Sequence, residues 1–123
     1  MNGDKLLIDS NIILYLLNGD KTLADFLQGK QLYISIISEM ELLSFSEIST
    51  NEQKRIQEFL KECKIININS EIKNESIKLR KKFKTKLPDS IIAATSIYLD
   101  IPLITADLGF KKIDKLQLIQ YEI

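Results

Sequence analysis

Short apolar, β-like runs alternate with longer helix-like segments along the whole chain. The β-like runs are KLLID, LYISI, KIININ, PLIT and LQLIQYEI, at residues 5–9, 32–36, 64–69, 102–105 and 116–123. Strands separated by helical segments pair in parallel, because the connection has to return to the same end of the sheet. We therefore predict an α/β fold with a mainly parallel central sheet of about four to five strands flanked by helices.

Helix signals occupy the segments between these runs. Helices are predicted over residues 10–17, 22–28, 50–63, 70–83 and 88–98, with a further helix that begins at Ser38. Ser10 or Asn11 is the expected cap of the first helix, and Thr50 followed by Gln53 resembles a capping box. Within 50–63, an amphipathic stripe with i, i+3, i+4, i+7 spacing consists of Ile56, Phe59, Leu60 and Cys63.

The length of the chain and its apolar content predict one domain over residues 1–123. With 123 residues, of which 45% are hydrophobic, the chain can bury a core, and no linker, repeat or low-complexity tract divides it. A single cysteine cannot form an intramolecular disulfide, which favours a reducing compartment. The apolar run at residues 12–17 is too short to cross a bilayer, so we expect a cytoplasmic protein with no membrane partner.

The chain contains no histidine, and this absence restricts the chemistry available to it. Histidine-based acid-base catalysis, Ser-His-Asp and Cys-His nucleophiles, and histidine-rich zinc sites are excluded within one chain. Carboxylates are then the candidate catalytic groups. The formal net charge is zero, so binding to a nucleic acid would need a local basic patch.

Four acidic residues are expected at one edge of the predicted sheet. Asp9 ends the first strand, Asp107 follows the fourth, and Glu41 and Asp89 fall in the first turns of two helices. Ligand sites in open α/β sheets form outside the carboxyl ends of the strands, where helix N-termini also point. Carboxylates brought together there would repel one another, and a bound Mg²⁺ or Mn²⁺ is the simplest compensation.

Each of these acids also has a purely structural interpretation. Glu41 could close a capping box with Ser38, and Asp89 could interact with the dipole of its helix. Asp107 could be an ordinary turn residue, and Asp9 could cap the first helix. Only their joint placement favours a metal site.

Four stretches of the sequence resemble a known family. LLIDSNIIL, ISIISEMELLSF, LPDSIIAATSIYLDIPLITADLGFKKI and LQLIQYEI are similar, in this order, to the motifs of PIN-domain ribonucleases of the kind found as VapC toxins of VapBC toxin-antitoxin pairs. The resemblance implies a three-layer PIN-like fold and a Mg²⁺-dependent endoribonuclease, with Mn²⁺ as a possible substitute. It also implies RNA as the substrate, a homodimer, and an antitoxin protein that covers the site.

Individual residues can be assigned by the same resemblance. The acidic residues that it implies as catalytic and metal-binding are Asp9, Glu41, Asp89 and Asp107. The polar positions that it implies as supporting the site are Asn11, Ser38 and Thr105. Glu39 and Asp100 fall outside the motifs and are not assigned to the site.

Two further surfaces are candidates for partners. The basic run KLRKKFKTK, residues 78–86, could contact RNA phosphates, and Lys84 and Lys86 lie nearest the proposed site in sequence. The alternative is a solvated helix face whose cations interact with the helix dipole. The helices predicted at 22–28 and 50–63 could form a groove for an antitoxin helix, or their apolar residues could simply face the core.

Other classes of protein compete with this interpretation. A phosphoaspartyl receiver domain would need paired acids after the first strand, and LLIDSN contains one. An aspartyl-nucleophile phosphatase would need a second aspartate where Asn11 stands. A catalytically silent PIN-like module that only binds RNA or protein is the alternative that stays open.

Overall fold

Strands and helices alternate throughout residues 4–122, the part of the chain that this computed structural model describes. The strands are β1 (Lys5–Ile8), β2 (Gln31–Ser35), β3 (Lys64–Ile66), β4 (Leu103–Thr105) and β5 (Leu118–Gln120). The α-helices are α1 (Ser10–Leu17), α2 (Lys21–Leu27), α3 (Ile36–Leu43), α4 (Thr50–Lys61), α5 (Ser70–Phe83) and α6 (Leu87–Leu99). A single 3₁₀ turn, Leu108–Phe110, follows β4.

The five strands form one sheet in the order β3-β2-β1-β4-β5, and all four pairings are parallel. The chain first builds outward from β1 through β2 to β3. It then crosses back through α5 and α6 to place β4 on the other side of β1. The predicted α/β fold with a parallel sheet is therefore confirmed, and the strand order reverses between β1 and β4.

Two separate apolar clusters lie on opposite faces of the sheet. Along β1, Leu7 packs with residues of α5 and α6, whereas Leu6 and Ile8 pack with residues of α1, α2 and α4. Successive side chains of a strand point to opposite faces, so a strand covered by helices on both sides is apolar at every position. The helices therefore cover both faces, which confirms the three-layer arrangement.

Two helix starts differ from the predictions. Helix α3 begins at Ile36, two residues earlier than predicted, because the Ser35 hydroxyl caps it by accepting a hydrogen bond from the Ile37 N–H. The capping box of α4 is formed by Ser49 and Glu52, one residue before the predicted pair. In both places a neighbouring serine or threonine could also have been the cap, and the sequence pattern alone did not separate them.

Other boundaries differ from the predictions by up to three residues. Asp9 is the N-cap of α1, so Ser10 and Asn11 are its first residues and not its cap. Strand β3 ends at Ile66, three residues before the predicted end. The predicted last strand is confirmed over Leu118–Gln120, and residue 123 lies outside the described residues. Among residues 4–122, no helix has the length and apolar character needed to span a membrane.

Candidate functional site

The reversal of strand order sets where a site can form. On either side of a reversal, connections leave the sheet in opposite directions, which opens a crevice at the carboxyl ends of the two strands. Asp9 follows β1 directly and Asp107 follows β4 by two residues, so both lie at this crevice. Helices α3 and α6 carry Glu41 and Asp89.

Asp9 is buried, with 5% of its surface exposed, and hydrogen-bond donors surround its carboxylate. Its Oδ1 accepts from the Ser10 N–H at 2.8 Å, and its Oδ2 accepts from the Thr105 hydroxyl at 2.7 Å and the Asn11 amide at 3.3 Å. Burial still dominates, so the pKa of Asp9 is raised although these bonds oppose the shift. Asp9 both caps α1 and presents a partly compensated negative charge to the crevice.

Thr105 and Asn11 tie the end of β4 to the start of α1. The Thr105 hydroxyl donates to Asp9 and accepts from the Asp107 N–H at 3.0 Å. The Asn11 side chain donates to Asp9 and accepts from the Ala106 N–H at 3.2 Å. Two of the three supporting positions implied by the resemblance therefore hold the segments that carry Asp9 and Asp107.

Glu41 lies in the second turn of α3 and not in the first, because the helix begins earlier than predicted. Its pKa is raised by partial burial and by the negative charges of Asp9 and Asp89, and a hydrogen bond from the Ser10 hydroxyl lowers it. The proposed capping box with Ser38 is wrong, since Ser35 is the cap. Ser38 itself is fully buried, and its hydroxyl has no hydrogen-bond partner within residues 4–122.

Asp89 and Asp107 approach each other beside Gly109. A Cβ atom at position 109 would lie 3.2 Å from Asp107 Oδ1 and 3.9 Å from Asp89 Oδ2. Asp107 accepts the Gly109 N–H at 2.8 Å, so the turn interpretation of this aspartate is correct as far as its local bonding goes. Asp89 is in the first turn of α6, as predicted.

Opposing charges act on Asp89. Its pKa is raised first by burial and then by Asp107 and Asp9, and it is lowered by the positive charges of Lys86 and Lys112. Lys86 is the N-cap residue of α6, and Lys112 follows the 3₁₀ turn that starts beside Asp107. Two cations from separate segments therefore lie near this side of the crevice.

The donor set suits a hard divalent cation. Neighbouring carboxylates contribute to the raised pKa values of Asp9, Glu41 and Asp89, and oxygen ligands are those that Mg²⁺ and Mn²⁺ prefer. Within residues 4–122, no three acidic or cysteine side chains are grouped closely enough to form a ready-made metal site. Mg²⁺ is usually held by one or two carboxylates and several waters, so it does not need such a group.

Sequence reasoning missed three residues of this region. Ser10 donates a hydrogen bond to Glu41, the positive charge of Lys112 acts on Asp89, and Gln120, on the edge strand β5, donates its amide to the Thr105 and Asp107 carbonyls. Two lysines directly follow the TADLGF motif, and this pattern could have indicated a cation near Asp107. Ser10 and Gln120 carried no such signal, because their contacts depend on α3 and on the pairing of β5 with β4.

The remaining candidates lie away from these contacts or play other roles. Lys84 is the left-handed C-cap of α5, and its N–H donates to the Arg80 carbonyl. Asp100 ends α6 and accepts the Gln117 amide, at the opposite end of β4 from Asp107. Leaving Asp100 out of the site is consistent with this position.

Comparison with known proteins identifies the family. The family model described as "PIN domain" matches residues 6–116. A chain of a toxin-antitoxin complex from Klebsiella pneumoniae is 33% identical, with a TM-score of 0.82, over 96% of this chain and 99% of that chain. No match was found among curated proteins.

More distant structures share the fold. A chain of VapBC2 from Rickettsia felis, bound to a DNA fragment from their promoter, has a TM-score of 0.84 at 23% identity, covering 96% of this chain and 99% of that one. A chain of VapBC-1 from nontypeable Haemophilus influenzae has a TM-score of 0.76 at 23% identity, covering 94% and 97%. The predicted resemblance to VapC-type toxins is thus confirmed, and the chain belongs to the PIN domain family.

Proposed function

We propose that this protein is a Mg²⁺-dependent endoribonuclease that acts as the toxin of a type II toxin-antitoxin pair. The observation that carries the proposal is the convergence of acidic side chains at the point where the strand order reverses: Asp9 and Asp107 follow the two central strands, and Asp89 lies beside Asp107 at Gly109. Glu41 is close enough that the charges of Asp9 and Asp89 raise its pKa. Uncompensated carboxylates at such a place destabilise the fold, so a ligand that neutralises them is the physical reason for keeping them together.

The proposed chemistry is hydrolysis of a phosphodiester bond. Bound Mg²⁺ would supply Lewis-acid activation of water and neutralise charge on the phosphate. Asp9, Asp89 and Asp107 would hold the ion, directly or through bound waters, and Glu41 would either join them or accept the proton of the attacking water through its carboxylate. A new bond forms between the water oxygen and phosphorus, the bond to the 3′ oxygen breaks, and that oxygen takes up a proton. The products are a 5′-phosphate and a 3′-hydroxyl.

Thr105, Asn11 and Ser10 would keep the carboxylates oriented. The Thr105 hydroxyl and Asn11 amide direct Asp9 Oδ2, and Ser10 contacts both Asp9 and Glu41. Hydrogen bonds to the ligating oxygens and their backbone fix the geometry that a metal requires. Gly109 leaves space beside Asp89 and Asp107 that a side chain would fill.

Lys86 and Lys112 are the proposed contacts to the RNA backbone. Both side chains are exposed, and their charges reach Asp89. Lys84, which the sequence also suggested as an RNA contact, is not among the cations whose charge acts on Asp89. Arg80, Lys81 and Lys82 lie in the last turn of α5, where the helix dipole favours cations.

We expect Lys86→Gln and Lys112→Gln each to reduce the slope of log affinity for RNA against log salt concentration by about 0.7, the value for one phosphate contact to a single strand. An unchanged slope in both variants would contradict these contacts.

The decisive experiment is cleavage of a panel of structured and unstructured RNAs by the purified protein, with Mg²⁺, Mn²⁺ or EDTA. We expect metal-dependent cutting that Asp9→Asn reduces by about 100-fold or more. Asp100→Asn is the matched control, because Asp100 has a φ of 55° that asparagine tolerates and lies at the other end of β4. Cutting that survives in Asp9→Asn would overturn the metal-carboxylate mechanism. If neither the wild type nor Asp9→Asn cuts RNA, and neither binds metal, the protein is instead a catalytically silent binding module.

An antitoxin is the proposed protein partner, because the similar structures are toxin-antitoxin complexes. A small cleft of about 20 Å³ between α1 and α4 is lined by Leu14, Leu17, Asn18, Glu52, Arg55 and Ile56, and the Arg55 guanidinium donates to the Leu17 carbonyl there, so the cleft has no room for a helix. On α4, Ile56 and Leu60 are buried in the core, so the core interpretation of the 50–63 stripe is correct for these two residues. The groove for an antitoxin helix between the helices predicted at 22–28 and 50–63 therefore stays a proposal, to be formed by residues of α2 and α4 that are not buried in the core. The homodimer also stays a proposal, which light scattering of the purified protein tests.

A further inference from the structure

We propose that Gln120 is a positioning residue that holds Asp107 toward the crevice. Gln120 is the last residue of the edge strand β5, and its amide nitrogen lies 3.3 Å from the Thr105 carbonyl oxygen and 3.4 Å from the Asp107 carbonyl oxygen. These carbonyls lie on either side of Ala106, so one side chain spans the turn that leads out of β4. The inference rests on the proposed function, because it concerns the geometry of a proposed metal ligand.

In the turn that carries Asp107, side chains of Asn11 and Thr105 hold the N–H groups of residues 106 and 107, whereas Gln120 is the donor to the Asp107 carbonyl. Asp107 is exposed, and its negative charge opposes those of Asp9 and Asp89. Its N–H is fixed by the Thr105 hydroxyl, and its carbonyl is fixed by Gln120. Repulsion between the carboxylates would push Asp107 outward, and contacts on both sides of its backbone oppose that movement.

Packing alone does not explain why a glutamine occupies position 120. Its Oε1 is buried and has no hydrogen-bond partner among the described residues. A buried acceptor without a partner costs stability, whereas an apolar side chain of the same length would avoid that cost. Methionine at this position should therefore preserve the fold while it removes the amide that spans the turn.

Gln120 and Gln117 form a matched pair for an experiment. Gln117 lies just before β5, and its amide donates to Asp100 Oδ1 at 2.8 Å, at the end of β4 that faces away from Asp107. Replacing either residue with methionine removes one side-chain amide. Only Gln120→Met should affect Asp107.

The test combines four measurements on the full chain and its two variants. We expect Gln120→Met to weaken Mn²⁺ binding in calorimetry by about 10-fold, the lower end of the range for losing a partner of a metal ligand. The Mg²⁺ concentration for half-maximal cleavage should rise by a similar factor, with the rate at saturating Mg²⁺ largely recovered. Hydrogen exchange of the Asp107 N–H should become faster. The unfolding midpoint without metal should stay the same, and Gln117→Met should match the wild type in every measurement.

The outcomes separate this inference from the proposed function. If the wild type binds Mn²⁺ and Gln120→Met binds it equally well, with unchanged exchange at Asp107, Gln120 does not position this residue. If the wild type neither binds Mn²⁺ nor cuts RNA, the proposed function fails, and the exchange rate of the Asp107 N–H still decides whether Gln120 holds the turn. Should Gln120→Met fold poorly, Gln120→Asn keeps an amide that is too short to reach, and the same shifts are expected of it.

Discussion

A carboxylate at the buried end of a central strand needs hydrogen-bond donors around it, and Asp9 has three. The most buried of these donors is Thr105, whose hydroxyl also accepts the Asp107 N–H. One hydroxyl group therefore orients the first acid and fixes the backbone of the last. This makes Thr105 the residue at which stability and site geometry are most directly joined.

Replacing Thr105 with valine should lower the free energy of unfolding by about 1–3 kcal/mol, because it leaves a buried carboxylate oxygen of Asp9 and the part-buried Asp107 N–H with one partner fewer. Urea denaturation measures the change. Thr95→Val is the control, since Thr95 is equally buried but donates only to the Ile91 carbonyl of its own helix. Equal losses in both variants would contradict the special role of Thr105.

The raised pKa values of Asp9, Glu41 and Asp89 predict how stability depends on pH in the metal-free protein. A carboxyl group with a raised pKa in the folded state binds its proton more tightly there than in the unfolded chain. The folded state is therefore favoured below the ordinary values of 3.8 and 4.5, and it loses this advantage as pH rises through the raised pKa values.

Asp89→Asn should then stabilise the metal-free protein at pH 7 by about 0.5 kcal/mol, a small value because the group is partly exposed and its charge is screened. The difference should vanish below the ordinary pKa of 3.8. Thermal unfolding at a series of pH values measures it, with the exposed Asp25→Asn as the control. If Asp89→Asn is less stable than the wild type at pH 7 without metal, repulsion between Asp89 and the neighbouring carboxylates does not limit the stability of the fold.

Among the secondary-structure elements, α4 provides the clearest test of a local assignment. The Ser49 hydroxyl oxygen accepts a hydrogen bond from the Glu52 N–H at 3.1 Å, and the same hydroxyl donates to Glu52 Oε1 at 3.1 Å. Ser49→Ala should cost about 1 kcal/mol, and Thr50→Ala should cost much less, because Thr50 is already the first helical residue. Urea denaturation of both variants distinguishes them. A larger loss in Thr50→Ala would support the cap that the sequence pattern predicted.

The start of α3 has a consequence for the site. Capping by Ser35 begins the helix at Ile36, so the acidic residue in its first turn is Glu39, and Glu41 lies two residues further along, in the second turn. Glu41 therefore faces Ser10, Asp9 and Asp89 through the side of the helix and not through its N-terminus. Its interaction with the other acids depends on how α3 packs, and not on capping.

At the scale of the whole molecule, the metal site and the fold should be coupled. A ligand that binds only the folded state stabilises it by an amount that grows with its concentration, about 2.7 kcal/mol at 100 times the dissociation constant. Mn²⁺ or Mg²⁺ should therefore raise the unfolding temperature of the wild type. Asp9→Asn should lose most of this increase and Asp100→Asn should keep it. An equal increase in all three proteins would place the bound metal elsewhere.

Local patterns in the sequence predicted most of the elements and the acidic candidates. Helix and strand periods depend on residues a few positions apart, so the five strands and most helices could be read from the order of apolar residues. The boundaries at Ser35 and Ser49 could not, because neighbouring residues compete for the same cap and the difference between them is small. The position of Asp89 in a first turn followed from Pro88, whose ring suits the start of a helix.

The chain by itself determined an α/β architecture, an apolar sheet and a histidine-free set of carboxylates at strand and helix ends. The tertiary structure alone decided that β4 pairs with β1, which brings Thr105 to Asp9 across 96 positions of sequence, and that β5 follows, which brings Gln120 to Asp107. The physical reason is that strand order depends on the burial of both sheet faces at once. No local segment contains that information, because the residues of one strand do not specify which other strand lies beside it.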